Sequence, residues 1–219
     1  YTGERGEQGY TGSQGIYGKG TFSLVENILN NSNKISILDS STIRKESGDG
    51  WNSGVHSVES YLTPRVSFTL GILQANVAVG LSINPELNTF TSNIQFGYYI
   101  GGDSSIQIYE SDILIKVIDG PYTTNTVFSI EYTGKSVKYC IGGICVYENY
   151  ITLSDSLYAI FLMNTCGYAI ENIHFDEILL GERGLQGERG KVGEQGSTGS
   201  TGSQGVKGDT GSRGIRGTT

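Results

Sequence analysis

Proline, cysteine, histidine and tryptophan are scarce in this chain, and each scarcity removes a class of explanation. The only histidines are His56 and His174, which give no basis for a Ser-His-Asp arrangement. Cys140, Cys145 and Cys166 are the only cysteines, and no Cys/His spacing fits a zinc site. No calcium-loop pattern is present either, so no metal and no cofactor is expected. There is no apolar run of about 18 residues, which leaves no candidate for a membrane-spanning helix. Basic residues are also few: Lys and Arg number 15 against 22 Asp and Glu, for a net charge of −7.

Glycine, by contrast, is abundant and ordered. Thirteen glycines keep a spacing of three without a break: Gly181, Gly184, Gly187, Gly190, Gly193, Gly196, Gly199, Gly202, Gly205, Gly208, Gly211, Gly214 and Gly217. The chain opens in the same way, with Gly3, Gly6, Gly9, Gly12, Gly15 and Gly18 in register until Gly20 breaks it. A strict Gly-X-Y period is the mark of the collagen triple helix, where three extended chains wind together and only glycine fits at the axis. A flexible Gly/Ser linker has no reason to hold phase so long. Residues 1–19 and 181–219 are therefore read as collagen-like arms around a separate domain at 20–180. The C-terminal arm, at about 3.1 Å per residue, should form a rod on the order of 120 Å.

The arms lack proline altogether, since Pro64, Pro85 and Pro121 all lie between them. Proline normally presets the extended backbone and lowers the entropy lost on winding. Arg5, Arg183 and Arg189 at Y positions, and Lys207 near Asp209, supply charge pairs instead. Exposed pairs contribute little each, so arms this short need a neighbouring trimerising element. The chain starts and stops inside triplet runs and does not begin with Met; it is read as a segment of something longer.

The arms hold eight basic and six acidic residues, which leaves seven Lys/Arg against sixteen Asp/Glu in the middle, a net charge of −9. Such a surface repels nucleic acid phosphates and anionic membrane. Within it, apolar residues alternate with polar ones: Val66, Phe68, Leu70; Val77, Val79, Leu81; Ile94, Phe96, Tyr98; Ile106, Ile108. The pattern continues through Ile113, Ile115, Val117; Phe128, Ile130, Tyr132; and Tyr158, Ile160, Leu162. Period two with turn residues about every ten positions predicts an all-β sandwich or jelly roll. The clearest hairpin is "VKYCIGGICVY", Val137 to Tyr147, turning on Gly142-Gly143. That register sets Ile141 opposite Ile144 and Cys140 opposite Cys145. The cysteines then occupy a non-hydrogen-bonded pair, with Cα atoms about 4.5 Å apart, where a disulfide can close; Cys166 is left unpaired.

Several pieces in order resemble the concanavalin A-like lectin/glucanase jelly rolls. They are "WNSGVHS" (Trp51 to Ser57), "VAVGLS" (Val77 to Ser82), "IQIYES" (Ile106 to Ser111), "FSIEYTGKSVKYCIGGICVY" (Phe128 to Tyr147) and "AIENIHF" (Ala169 to Phe175). The resemblance implies an antiparallel jelly roll. Collagen joined to such a domain is similar to collagen-like fibre proteins of giant viruses, then to phage fibres and bacterial spore-surface filaments. It implies a homotrimer on a virion surface or cell-surface filament, partnered by other fibre or capsid proteins. Trimeric C1q- or TNF-like heads are the rival, but they usually end a collagen, whereas here the collagen resumes. The resemblance also implies that Lys207, at a Y position, is a hydroxylation and glycosylation site.

Three functions follow: a structural fibre, an adhesin that binds host glycans, and a carbohydrate-active enzyme. The glucanases of this resemblance use E-x-D-x-x-E; Glu110 and Asp112 begin it, but Ile115 stands at the third carboxylate's place. Glycoside hydrolysis needs two flanking carboxylates, so no catalytic residue is assigned. For glycan binding, "FGYYIGGD" offers Tyr98, Tyr99 and Asp103 around a Gly-Gly turn. Tyr98 and Tyr99 face opposite ways, so one of them belongs to the core. Trp51 is expected to be packed. In jelly rolls of this class the first and last strands commonly pair, which would set the chain after Phe22 beside Ile170 to Ile178. The domain's two ends would then lie on one side, so that it hangs beside the filament, with Ile178, Leu179 and Leu180 against trimer neighbours.

Overall fold

The computed structural model describes residues 22–28, 34–51, 53–74, 76–85, 94–178 and 202–208. The chain divides into two units, and the larger, Gln14–Glu182, holds fourteen strands and no helix among the described residues. Strand order makes two antiparallel sheets of seven. The first sheet contains β1 (Leu24–Ile28), β4 (Ser53–Ser57), β13 (Tyr158–Met163), β6 (Val77–Ser82), β7 (Phe96–Ile100), β8 (Ile106–Glu110) and β9 (Ile113–Ile118). The second contains β12 (Ile144–Asn149), β11 (Val137–Ile141), β10 (Phe128–Tyr132), β5 (Pro64–Leu70), β14 (Ala169–Glu177), β3 (Thr42–Lys45) and β2 (Ile35–Asp39).

Alternation explains what lies between the sheets. Val66, Phe68 and Leu70 of β5 meet Phe128, Ile130 and Tyr132 of β10, and all six are buried. Phe96, Tyr98 and Ile100 of β7 face them from the other sheet. Rings set the spacing: Phe68 stacks on Phe128 at 5.3 Å and Phe96 on Tyr132 at 5.7 Å, while Tyr98 meets Tyr139 edge-on at 5.5 Å. Each such side chain removed from water stabilises the fold by about 1.5–3 kcal/mol. The Gly142-Gly143 turn forms as expected, both residues having positive φ (58° and 82°), the twist a two-residue hairpin needs.

Three expectations are corrected. On β13 the inter-sheet core takes Ala159, Phe161 and Met163; Ile160 and Leu162 point to the outer face, where Ala78, Ile94, Trp51 and Tyr99 cover them. Both faces of β13 are buried, so alternation alone could not orient it. On β9 the expected inward row Ile113, Ile115 and Val117 is exposed instead, because β9 is an edge strand that bulges opposite Ile108 and Tyr109. The first and last strands also do not pair: β1 joins β4, and β14 joins β5 and β3 in the other sheet. The domain's ends meet through side chains instead. Phe22 packs edge-on against Phe175 with centroids 6.4 Å apart, which puts the two ends on one side of the domain. Leu179 and Leu180 lie outside the described residues.

One glycine notch is indispensable. Gly80 and Gly97 are cross-strand partners on the outer face of the first sheet, and Ile94 lies across both. A Cβ at Gly80 would collide with the Phe96 carbonyl oxygen and with the Ile94 methyl group. Gly80→Ala is therefore expected to destabilise the domain by about 1–3 kcal/mol through overpacking, read as a fall in the urea midpoint. A midpoint within error of the parent would show that the notch is not tight.

Candidate functional site

The residues singled out for glycan binding, Tyr98, Tyr99 and Asp103, lie along β7 and in the β7–β8 turn. Strand β7 alternates, so its consecutive tyrosines part company. Tyr98 is 1% exposed, and its hydroxyl donates to the Cys140 carbonyl at 3.2 Å. Burial pushes this phenol far above its ordinary range. The Tyr98 ring is core and presents no surface to a sugar.

Tyr99 faces out. It lies between Ala78 and Gln107 across the sheet, with the indole of Trp51 5.7 Å away. Its hydroxyl donates to Asn76 Oδ1 at 3.3 Å, and the same oxygen accepts the Gly102 N–H at 2.8 Å. Asn76 Nδ2 in turn donates to Thr165 Oγ1 at 3.4 Å. One asparagine thus fixes the tyrosine, the Gly101-Gly102 turn and a neighbouring loop. In the next row Tyr109 stands opposite Gly97 and donates to Gln107 Oε1 at 3.1 Å. Trp51, Tyr99 and Tyr109 form the aromatic part of this outer face, and Trp51 is half-buried as the sequence reading expected.

Asp103 occupies the turn itself. Its Oδ1 accepts the Ser105 N–H at 2.9 Å, and hydrogen bonding by Ser105, side chain first, holds its carboxyl below the usual range. The carboxylate lines an open cleft of about 520 Å³ with Ser105, Asp119, Pro121 and Tyr122. The cleft lies between the β7–β8 turn and the loop before β10. The Tyr122 ring packs edge-on against Phe128 at 5.7 Å. Two carboxylates and a serine suit hydroxyl-rich or cationic ligands, while the Tyr122 ring belongs mostly to the core. The structure brings Asp103 to this cleft and leaves Tyr99 on the adjoining sheet face. Asp119 and Tyr122 escaped the sequence reading because nothing local marks the β9–β10 loop as a neighbour of the β7–β8 turn.

Glu110 and Asp112, the start of the acidic motif, have separate surroundings. Glu110 is buried, accepting from Tyr139 Oη at 3.3 Å and from Asn149 Nδ2 at 2.6 Å. Burial first, then the Glu110 charge, pushes the Tyr139 phenol up. Asp112 sits in the exposed turn with φ 69°. The histidines also lie apart, one on each sheet: His56 Nδ1 donates to the Ser57 carbonyl at 2.9 Å, and His174 Nε2 approaches Asp176 Oδ2 at 3.3 Å. Among the described residues no group of three His, Cys, Asp or Glu could hold a metal ion.

Two features were missed. Across the outer face of the second sheet run Glu148, Lys138, Glu131, Arg65 and Asp176 as successive cross-strand partners. They alternate in sign, and Arg65 Nε meets Glu131 Oε1 at 3.2 Å. Period two marks each as outward, but only strand order aligns them. The second is Lys45, fully buried, whose ammonium donates to Gly50 O (2.6 Å), Met163 O (2.8 Å) and Ser53 Oγ (3.2 Å). Burial lowers its pKa, and the three acceptors keep the charge satisfied.

Cys140 and Cys145 are direct register partners, the arrangement that the expected disulfide requires. In the second unit Lys207 is exposed, as are its neighbours from Gly202 to Gly208. The glycines of the N-terminal arm, Gly181 to Gly199, and Gly211, Gly214 and Gly217 lie outside the described residues.

The Collagen family, described as a triple helix repeat in 20 copies, matches residues 179–219. No curated protein matches the sequence. Solved structures match the fold. The TRIM65 PSpry domain has a TM-score of 0.51 at 13% identity, over 68% of this chain and 87% of that one. The exoplasmic/lumenal domain of VIP36, in its Ca2+/Man-bound form, gives 0.50 at 8% identity over 73% and 84%. Stonustoxin gives 0.50 at 9% identity, over 71% of this chain but only 28% of its own. At such identities the likeness establishes the fold alone: an antiparallel jelly roll joined to a C-terminal collagen repeat.

Thiol chemistry tests the hairpin geometry. Burial first, then Cys145 and Glu131, pushes the Cys140 thiol up to about 11, whereas Cys145 and Cys166 are exposed. In the reduced chain at pH 8, Cys140 should alkylate at least about tenfold more slowly than the other two. Peptide mass spectrometry after timed iodoacetamide treatment measures this, and equal rates would contradict the packing.

Proposed function

We propose that this chain is a structural component of a trimeric collagen-like fibre or filament on a virion or cell surface, with the jelly roll as its trimerising or decorating module. The observation that carries the reading is the unbroken glycine register from Gly181 to Gly217, within the span that the collagen repeat matches. At the three of those positions that the structure describes, the chain's own packing does not explain glycine. A Cβ at Gly202, Gly205 or Gly208 would meet nothing within 4 Å among the described residues. A period of three then needs partners outside the chain, and two further copies in a triple helix supply them. In this reading residues 1–19 and 181–219 are the triple-helical segments, residues 20–180 the module, and other fibre or capsid proteins the neighbours. Lys207, exposed and at a Y position, is the proposed site of hydroxylation and glycosylation.

The module is read as non-catalytic. What supports this is the inward turn of Glu110, held by Tyr139 and Asn149, and the isoleucine at the motif's third acidic place. An adhesin reading is favoured by one observation, the cleft that joins Asp103 and Asp119 beside Tyr122. There two aspartates could hold a glycan, with the edge of the largely buried Tyr122 ring beside them and Tyr99 on the adjoining face.

Sedimentation of the full chain should give three copies at micromolar concentration, together with polyproline-II dichroism that melts on heating. A monomer without that dichroism would sink the fibre reading. A glycan array separates the two readings: binding that is lost on Asp103→Ala favours the adhesin, and no binding leaves the structural fibre.

A further inference from the structure

We infer that β9 is the surface through which three copies of the jelly roll pack together. The inference rests on the fibre reading and deepens it by naming the interface. Strand β9 closes one edge of the first sheet and, among the described residues, pairs only with β8. Its apolar side chains are exposed on both faces: Ile113 63%, Leu114 47%, Ile115 37% and Val117 48%. An edge strand that is long, apolar and open is a template for association, and proteins ordinarily blunt it with charge, proline or a cover. The other edges are blunted: β1 carries Glu26, β2 ends in Asp39, and β12 sets Glu148 against Lys138.

On β9 that safeguard is a single exposed lysine, with no carboxylate or proline from Ile113 to Ile118. Its one charged residue, Lys116, turns its ammonium back to the Val146 carbonyl at 2.9 Å. That bond links β9 to β12 of the second sheet, where Ile144 is 71% exposed. Four exposed apolar side chains thus line β9, on a domain whose net charge is strongly negative.

The occupant is a second and third copy of this chain, for three reasons. A Gly-X-Y register ties chains together in threes, so each domain has two identical neighbours. The arms have no proline and are short, so contacts outside them must help to hold the trimer. Domains carrying net −9 each repel one another, and a flank with no carboxylate from Ile113 to Ile118 is where they can touch at least cost. Three-fold symmetry makes the contact heterologous. Edge-to-edge antiparallel pairing of two β9 strands needs a two-fold axis, so side chains must carry this interface.

The test uses the full chain, in parent form and as Leu114→Glu/Val117→Glu, with light scattering across a concentration series. The parent should be trimeric. The variant should keep its β-sheet dichroism while the concentration for half-trimerisation rises about tenfold or more. If the glutamates unfold the domain, Leu114→Thr/Val117→Thr preserves strand propensity and should still raise it severalfold. Leu38→Glu on the opposite flank should change nothing. Variants that trimerise like the parent, or an equal loss from Leu38→Glu, overturn the interface and leave the fibre reading standing. A parent dimer would point to two-fold edge pairing and also overturn it. A parent monomer without polyproline-II dichroism removes the fibre reading itself.

Discussion

Everything in the jelly roll depends on a layer of aromatic and β-branched side chains clamped between two seven-stranded sheets. The rings of Phe68, Phe128, Tyr98 and Tyr139 touch in a chain of stacked and edge-on pairs, with Phe96 on Tyr132 as a second group. Non-local pairing dominates, since β14 is held by β5 and β3 from far earlier in the chain. Ordering so many distant strands costs conformational entropy that only this buried layer is large enough to offset. The tyrosines add direction, because each buried hydroxyl needs a partner. Tyr132 Oη accepts the Leu153 N–H at 2.6 Å, and Tyr139 donates to Glu110. Packing and polar satisfaction thus select one arrangement of the sheets.

The same requirement governs the few charges inside. Lys45 bonds two backbone carbonyls and a serine, which fastens the loop carrying Trp51 to β13. Glu110 is held between a tyrosine and an asparagine of the opposite sheet. Both are anchors between distant segments, and losing a partner would leave a buried polar group unsatisfied at a cost of about 1–3 kcal/mol. A carboxylate committed in this way is poorly placed to act on a ligand, so structural demand takes the residue that a catalytic motif would have needed.

Polar and aromatic side chains outside the core collect where packing makes no claim on them. The outer face of the first sheet holds Trp51, Tyr99 and Tyr109; the turns beside it hold Asp103 and Asp119. The outer face of the second sheet holds an alternating row of charges, whose members are worth little singly but keep that face soluble. The β9 edge differs from both: its exposed side chains are apolar apart from Lys116, and none of them is a carboxylate. Glycine has two unrelated uses. At Gly80 and Gly97 it makes room for Ile94 within one chain, and at Gly202, Gly205 and Gly208 nothing in the described chain asks for it.

Sequence by itself determined the period-two strands, the Gly-Gly hairpin with Cys140 opposite Cys145, and the glycine register of the C-terminal arm. These are local or strictly periodic signals, and the physics behind each acts within a few residues. It also separated Tyr98 from Tyr99 but could not say which was inside, because alternation has no sign until a second sheet covers one face. Strand order was beyond it. The pairing of β1 with β4, the double burial of β13, the exposure of β9 and the cleft between two distant loops all depend on which strands become neighbours. That is decided by how the whole apolar surface can be buried at once, a property of the assembled sheets and of no single segment.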